Sequence, residues 1–148
     1  MRQDVKSLAS KIDNAMQLCK NVLEHDSKIK ALSPMDIGID AYAEELTLCV
    51  ESRGRATRIA IQELNEIGSF YETIENDSTA PVADKALLNE KIHLLQDLSA
   101  VFAKQNVIVR KSIEIHLNSL HHESAEFQQN VKVIKNYLKA PDNRTFYG

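Results

Sequence analysis

The sequence predicts an all-α fold: an elongated antiparallel helical bundle, or coiled-coil hairpin, of three to four long helices with a short flexible C-terminal tail. Three observations carry this. Glycine (4), proline (3) and tryptophan (0) are too scarce to supply the turns and strands of a β or α/β domain, and aromatic residues make up only 5%. Apolar residues recur at alternating spacings of three and four along most of the 148 residues, the pattern of a helix that buries one stripe. Apolar and charged fractions of 43% and 26% belong to a chain that folds as one domain rather than to a disordered one.

Val5, Leu8, Ile12, Ala15, Cys19 and Val22 form an a/d seam of about three heptads. Asp26 interrupts it and Ile29 resumes it, so a first helix is predicted over 3–31, with Asp26 marking an edge where a partner has diverged. The stretch LSPMDI (32–37) is a helix start: Ser33 can cap, Pro34 suits the first helical position, Asp36 follows as a capping acid, and Leu32 and Ile37 stand at staple positions. It predicts a sharp turn into a second helix over 34–74, weakened at its start by Gly38 by up to about 1 kcal/mol.

That second helix carries Ile39, Ala43, Leu46, Val50, Arg53, Thr57, Ala60, Leu64, Ile67, Tyr71 and Ile74 in one register. Its waist, ESRGRATR (51–58), is polar and reads as a solvated section or as a docking point for an acidic partner. After a polar turn over 75–81 there is no Gly or Pro from Val82 to Ala140. Leu88, Ile92, Leu95, Leu98 and Phe102, then Val109, Ile113, His116 or Leu117, Leu120, Phe127, Val131, Ile134 and Leu138 predict a third helix over 82–139. Asn106 lies on this seam, where a polar residue fixes register. Unbroken, this helix would be roughly 85 Å long. It outruns its partners, so it projects beyond them or breaks near 104–112 or 119–126. A tail, 140–148, follows.

Catalytic chemistry has little to build on. There is no glycine-rich phosphate loop and no Gly-x-Ser-x-Gly elbow. Glu90 and His93 have the spacing of a di-iron bundle but lack the second pair and extra carboxylates, so no metal and no cofactor are expected, and no enzyme. His116 reads as a partly buried structural histidine, with a phospho-accepting histidine as the distant alternative. Cys19 and Cys49 read as small buried thiols, able to face each other across the first two helices, in a cytoplasmic protein. A net charge of −3 without a basic face argues against nucleic acid. No apolar run approaches the ~18 residues of a membrane span, and the N-terminus lacks the apolar stretch of a signal peptide.

Binding remains. The stripe from Val109 to Leu138 is supplemented off-axis by Ile108, Ile115, Val133 and Tyr137, more apolar circumference than a one-sided surface helix needs. Either this helix is buried, within the bundle or within a homodimer, or it offers a second face to a partner helix.

The segment LQDLSAVFAKQNVIVRKSIEIHLNSLHHESAEFQQNVKVIKNYLKAPDNRTFYG (95–148) resembles the FlgN-type flagellar export chaperones. In that family an Asn opens a long final helix followed by aliphatics, here Asn106 with Val107, Ile108 and Val109. A polar tail with a tyrosine–glycine follows, here Thr145, Tyr147 and Gly148. The resemblance implies a small cytoplasmic chaperone that binds the C-terminal helices of hook-associated, hook–filament junction proteins. It would keep them unassembled and bring them to the export gate of a flagellar type III secretion system. On that reading Ile113, Leu117, Leu120, Val131, Ile134 and Leu138 are the client-binding face, and Phe146 and Tyr147 contact the export platform. The alternative is a self-associating coiled-coil adaptor.

Overall fold

The computed structural model describes residues 2–120 and 128–139, the second segment with side chains from Lys132 onward. Helices α1 (Gln3–Ala31), α2 (Pro34–Ile37), α3 (Ile39–Glu75), α4 (Val82–Leu120) and α5 (Gln128–Lys139) account for nearly all of it, and there is no strand among the described residues. The fold is the all-α bundle of long helices that the sequence predicts. α1 packs along both α3 and α4, while α3 and α4 touch each other only sparsely, so α1 is the wedge that holds them. α5 packs on α3 and, less extensively, on α4.

The seam of α1 is buried throughout: Val5, Leu8, Ile12, Ala15, Cys19, Val22, Asp26 and Ile29. On α4 two buried rows each repeat every seven residues: Leu88, Leu95, Phe102, Val109 and His116, and Ile92, Ser99, Asn106, Ile113 and Leu120. A strict heptad over the whole helix is the period a left-handed supercoil maintains. The apolar interior falls into two clusters. One centres on Leu8, Ile12, Leu64, Leu88 and Phe102, the other on Ile29, Tyr42, Leu46, Val109 and Ile113. No described helix is long and apolar enough to cross a membrane.

Two predicted boundaries move. The helix expected over 34–74 is split at Gly38. Ser33 caps the single turn α2, its hydroxyl accepting from the Met35 N–H at 3.3 Å, and the Gly38 N–H closes that turn on Pro34 O at 2.9 Å. Gly38 has φ +83° and ψ 160°, a backbone conformation essentially reserved for glycine. It then begins α3, its carbonyl accepting from the Tyr42 N–H at 2.9 Å. Gly38 is thus the hinge of the corner rather than a weak point in a helix. Gly38→Ala is expected to cost about 1–3 kcal/mol, read as a lowered midpoint in urea unfolding; an unchanged midpoint would show that the corner relaxes freely.

The predicted 82–139 helix is likewise two helices. α4 runs unbroken through 104–112 and ends at Leu120, inside the second expected break; residues 121–127 lie outside the described ones. The Arg110 guanidinium donates to the Leu138 carbonyl. In one straight helix those residues would stand about 42 Å apart. α5 therefore returns along the bundle instead of projecting from it.

The far end is clipped by Arg2, which reaches Asp77 at 2.9 Å beside the α3–α4 turn. Asp77 also accepts from the Thr79 hydroxyl (2.6 Å) and N–H (2.9 Å). These Thr79 bonds, then Arg2, hold its carboxyl well below the usual carboxylate range. A depressed folded value means that the contribution is present above the ordinary Asp value and lost as pH falls through the depressed one. The clip is expected to survive the region near pH 4, where exposed carboxylates titrate, and to open only in stronger acid. Following the Thr79 amide by NMR through that range checks it.

Candidate functional site: a polar layer and the groove it divides

Three polar residues sit where apolar ones belong: Asp26 on the α1 seam, Arg53 on α3 and Asn106 on α4. The structure brings them to one level. Arg53 is 0% exposed. Its Nε donates to Asp26, its Nη2 to Asn106 Oδ1 at 2.8 Å and its Nη1 to the Tyr137 hydroxyl at 2.5 Å. The rigid five-donor fork of a guanidinium suits this, because one side chain can address three elements in one plane. A single group on α3 thereby ties in α1, α4 and α5. Arg53, at the centre of the waist, is thus internal and out of reach of an acidic partner, while Glu51, Arg55 and Arg58 of the same stretch face solvent, and Asp26 is an internal counterion rather than an edge residue. Burial pushes the Asp26 carboxyl above its usual range, against the pull of Arg53, and its Oδ2 has no partner among the described residues. A buried pair of this kind is poor evidence for net stability. Its effect here is register: only one placement of α5 brings Tyr137 to Arg53.

Gly54, next to Arg53, explains the close approach of α5. A Cβ there would lie 3.3 Å from Tyr137 Cε2. Around it, Ile134 is buried in the second cluster, and Leu138 packs against that cluster. Lys132, Lys135 and Lys139 face solvent. α5 is therefore an amphipathic helix lying in the groove between α3 and α4.

The groove continues past α5. On α3, Gly54 shares its heptad position with Ile61, Gly68 and Glu75; on α4, Arg110 shares its position with Ala103, Gln96 and Asn89. At the end away from α5, these same faces line a cleft of about 630 Å³, with Gly68, Ser69, Glu72 and Glu75 on one wall and Asn89, Ile92, His93 and Gln96 on the other. The heptad arithmetic places the cleft in line with α5. Half of one groove is filled by the chain itself, and the other half is open, with two carboxylates at its wall.

The residues predicted as a client face are placed differently from an exposed stripe. Ile113, Leu117, Leu120 and Ile134 are buried members of the second core cluster, with Leu138 half-buried against it. In this conformation they close the bundle. The side chain of Val131, and Phe146 and Tyr147 entirely, lie outside the described residues. His116 is also internal. Its Nε2 donates to the Ile29 carbonyl at 2.8 Å, so Nδ1 carries the lone pair and accepts from the Tyr42 hydroxyl. With both ring nitrogens engaged, His116 presents none to a phosphodonor. Burial pushes the Tyr42 hydroxyl up.

Cys19 lies in the first cluster and Cys49 in the second, so the two thiols do not face each other, and both are free. Burial pushes the Cys19 thiol up to about 11, which leaves it protonated and inert at neutral pH. Among the described residues no group of three or more His, Cys, Asp or Glu could hold a metal.

The polar layer was legible in principle. Asp26, Arg53 and Asn106 each put a polar residue on a buried seam, one on each of the three long helices α1, α3 and α4, and two carry opposite charge. The contribution of Tyr137 had no such signal, because it depends on α5 turning back. No protein-family model, curated protein or solved structure matches this chain.

Proposed function

We propose that this protein is a helix-binding chaperone of the flagellar export type, cytoplasmic and non-enzymatic. It would take the C-terminal amphipathic helix of a hook–filament junction protein and deliver it to the export gate. The observation that carries the reading is the α3–α4 groove, which accepts one amphipathic helix over half its length and stands open over the other half. Helix-in-groove recognition needs such a seat. The resemblance of residues 95–148 to the FlgN-type chaperones supplies the client class. Glu72 and Glu75 at the open end favour a client helix with a basic flank, as α5 itself has in Lys132, Lys135 and Lys139. Phe146 and Tyr147 belong to delivery in this reading. Deleting 142–148 is expected to leave client binding intact and to abolish export.

Calorimetric titration of the full chain with synthetic C-terminal helices of hook–filament junction proteins tests the proposal. A stoichiometric complex is expected, weakened by Gly68→Trp, which fills the cleft. Absence of any complex overturns the client class. A complex indifferent to Gly68→Trp overturns the groove. The second reading, a self-associating adaptor, draws on the exposed apolar row of α4 that follows.

A further inference from the structure

The outer side of α4 carries a second apolar row. Leu87, Leu94, Val101, Ile108 and Ile115 recur every seven residues. The last four are 52%, 46%, 41% and 66% exposed. Single exposed apolar residues are ordinary, but four in strict heptads, with a half-buried fifth in Leu87, are not. The buried rows of α4 keep the same period, so this row holds a constant angle to them, about 100° from the nearer row of Leu88 to His116, and runs for about 42 Å. A seven-residue apolar repeat is read by another helix lying alongside.

The flanks identify that helix. On one side, Lys91 donates to Asp13 of α1 at 2.7 Å and Gln105 accepts from Lys30 of α1 at 2.8 Å, so this flank is used within the bundle. On the other side stand Glu90, Asp97, Lys104 and Lys111, again seven apart and all exposed. None of these four forms an ion pair with another described residue. Their order is acid, acid, base, base. A two-fold axis passing near Val101 turns that order into complementarity, because in an antiparallel pair each flank meets its own copy. Asp97 then faces Lys104 of the second chain, and Glu90 faces its Lys111. The same operation sets Val101 against Val101, Leu94 against Ile108 and Leu87 against Ile115. The apolar row and the charge row thus share one centre. A parallel pairing would instead set the acidic–basic flank against Lys91, Leu98, Gln105 and Ser112 and leave the pattern unused.

We propose that a second copy of this chain docks on this row, forming an antiparallel, two-fold symmetric dimer through α4. Such an interface is closed by its own symmetry. With one apolar row per heptad instead of the two of a full coiled-coil seam, the dimer is reversible and salt-sensitive. Arg110, which holds α5, lies two residues beyond Ile108 and so about 200° round the helix. The dimer therefore leaves the α3–α4 groove uncovered, and this proposal does not depend on the function proposed above.

Sedimentation of the full chain is expected to show a concentration-dependent monomer–dimer equilibrium. Lys104→Glu converts two attractive contacts per dimer into repulsive ones and is expected to raise the dissociation constant about tenfold. Adding Asp97→Lys in the same chain restores it. Under mild oxidation Val101→Cys crosslinks to itself in high yield, whereas Leu94→Cys does so only when mixed with Ile108→Cys. A chain that is monomeric at every concentration tested overturns the proposal. So does a dimer unaffected by Lys104→Glu, or one in which Leu94→Cys crosslinks with itself. Unchanged circular dichroism of each variant keeps misfolding out of the comparison.

Discussion

Replacing Arg53 with alanine is expected to remove about 3–5 kcal/mol of stability, the cost of leaving a buried charge without its partner. Three groups lose their donor at once: the Asp26 carboxylate, Asn106 Oδ1 and the Tyr137 hydroxyl. The loss concentrates on Asp26, because Asp26 is buried and its Oδ2 already lacks a partner among the described residues. Tyr137 is only half-buried and can turn to water. Two consequences separate this account from simple loss of packing. Asp26→Leu combined with Arg53→Met should be more stable than Arg53→Ala alone, since no carboxylate is then stranded. The deficit of Arg53→Ala should also narrow on acidification. The Asp26 carboxyl is already raised by burial, and a raised folded value favours the fold below the ordinary Asp value and loses that contribution as pH rises through it. Urea unfolding at neutral and mildly acidic pH measures both. A deficit that ignores pH would mean that Asp26 escapes to solvent.

Gly54→Leu is expected to act on α5 rather than on the whole fold. Leucine is the better helix former by up to about 1 kcal/mol, which strengthens α3 taken alone. The seat is already full, since a Cβ at Gly54 would stand 3.3 Å from the Tyr137 ring and a longer side chain would run into it. Overpacking of this kind costs roughly 1–3 kcal/mol if nothing moves. The cheapest relief is release of α5, which is twelve residues long and held by Tyr137, Ile134 and the Arg110–Leu138 bond. Hydrogen exchange should therefore accelerate across 132–139 while the amides of α1 and the buried half of α4 keep their protection. Equal protection in both proteins would show that the groove widens to admit the side chain.

How far the fold was legible follows from what each signal measures. The seams of α1, α3 and α4 were read correctly in the main, Ser99 taking the buried place expected for Leu98, because a heptad of apolar residues is a property of one helix and needs no knowledge of its neighbour. The position of Gly38 was visible, but its role was not. A glycine costs a helix about 1 kcal/mol, whereas at φ +83° it is the one residue that makes the corner without strain. The reversal after Leu120 was one of two possible breaks, and periodicity alone could not choose between them, since Asn106 interrupts the apolar seam at the first and the polar run of His121, His122 and Glu123 interrupts it at the second.

The sequence by itself determined that this chain is helical and which stripe each main helix buries. The seven-residue spacing of Leu87, Leu94, Val101, Ile108 and Ile115 is also a property of the sequence, but that this row stays exposed is not. Only the tertiary structure decided which stripes meet. It turned Asp26, Arg53 and Asn106 from three defects into one layer, and it placed Ile113, Leu117 and Leu120 in a core closed by Ile134. It also left one half of the α3–α4 groove empty. The physical reason is that an amphipathic helix specifies that a face must be covered, whereas what covers it depends on where the chain next turns back. Here that was settled by a guanidinium with three acceptors to reach and a glycine with room for a tyrosine ring.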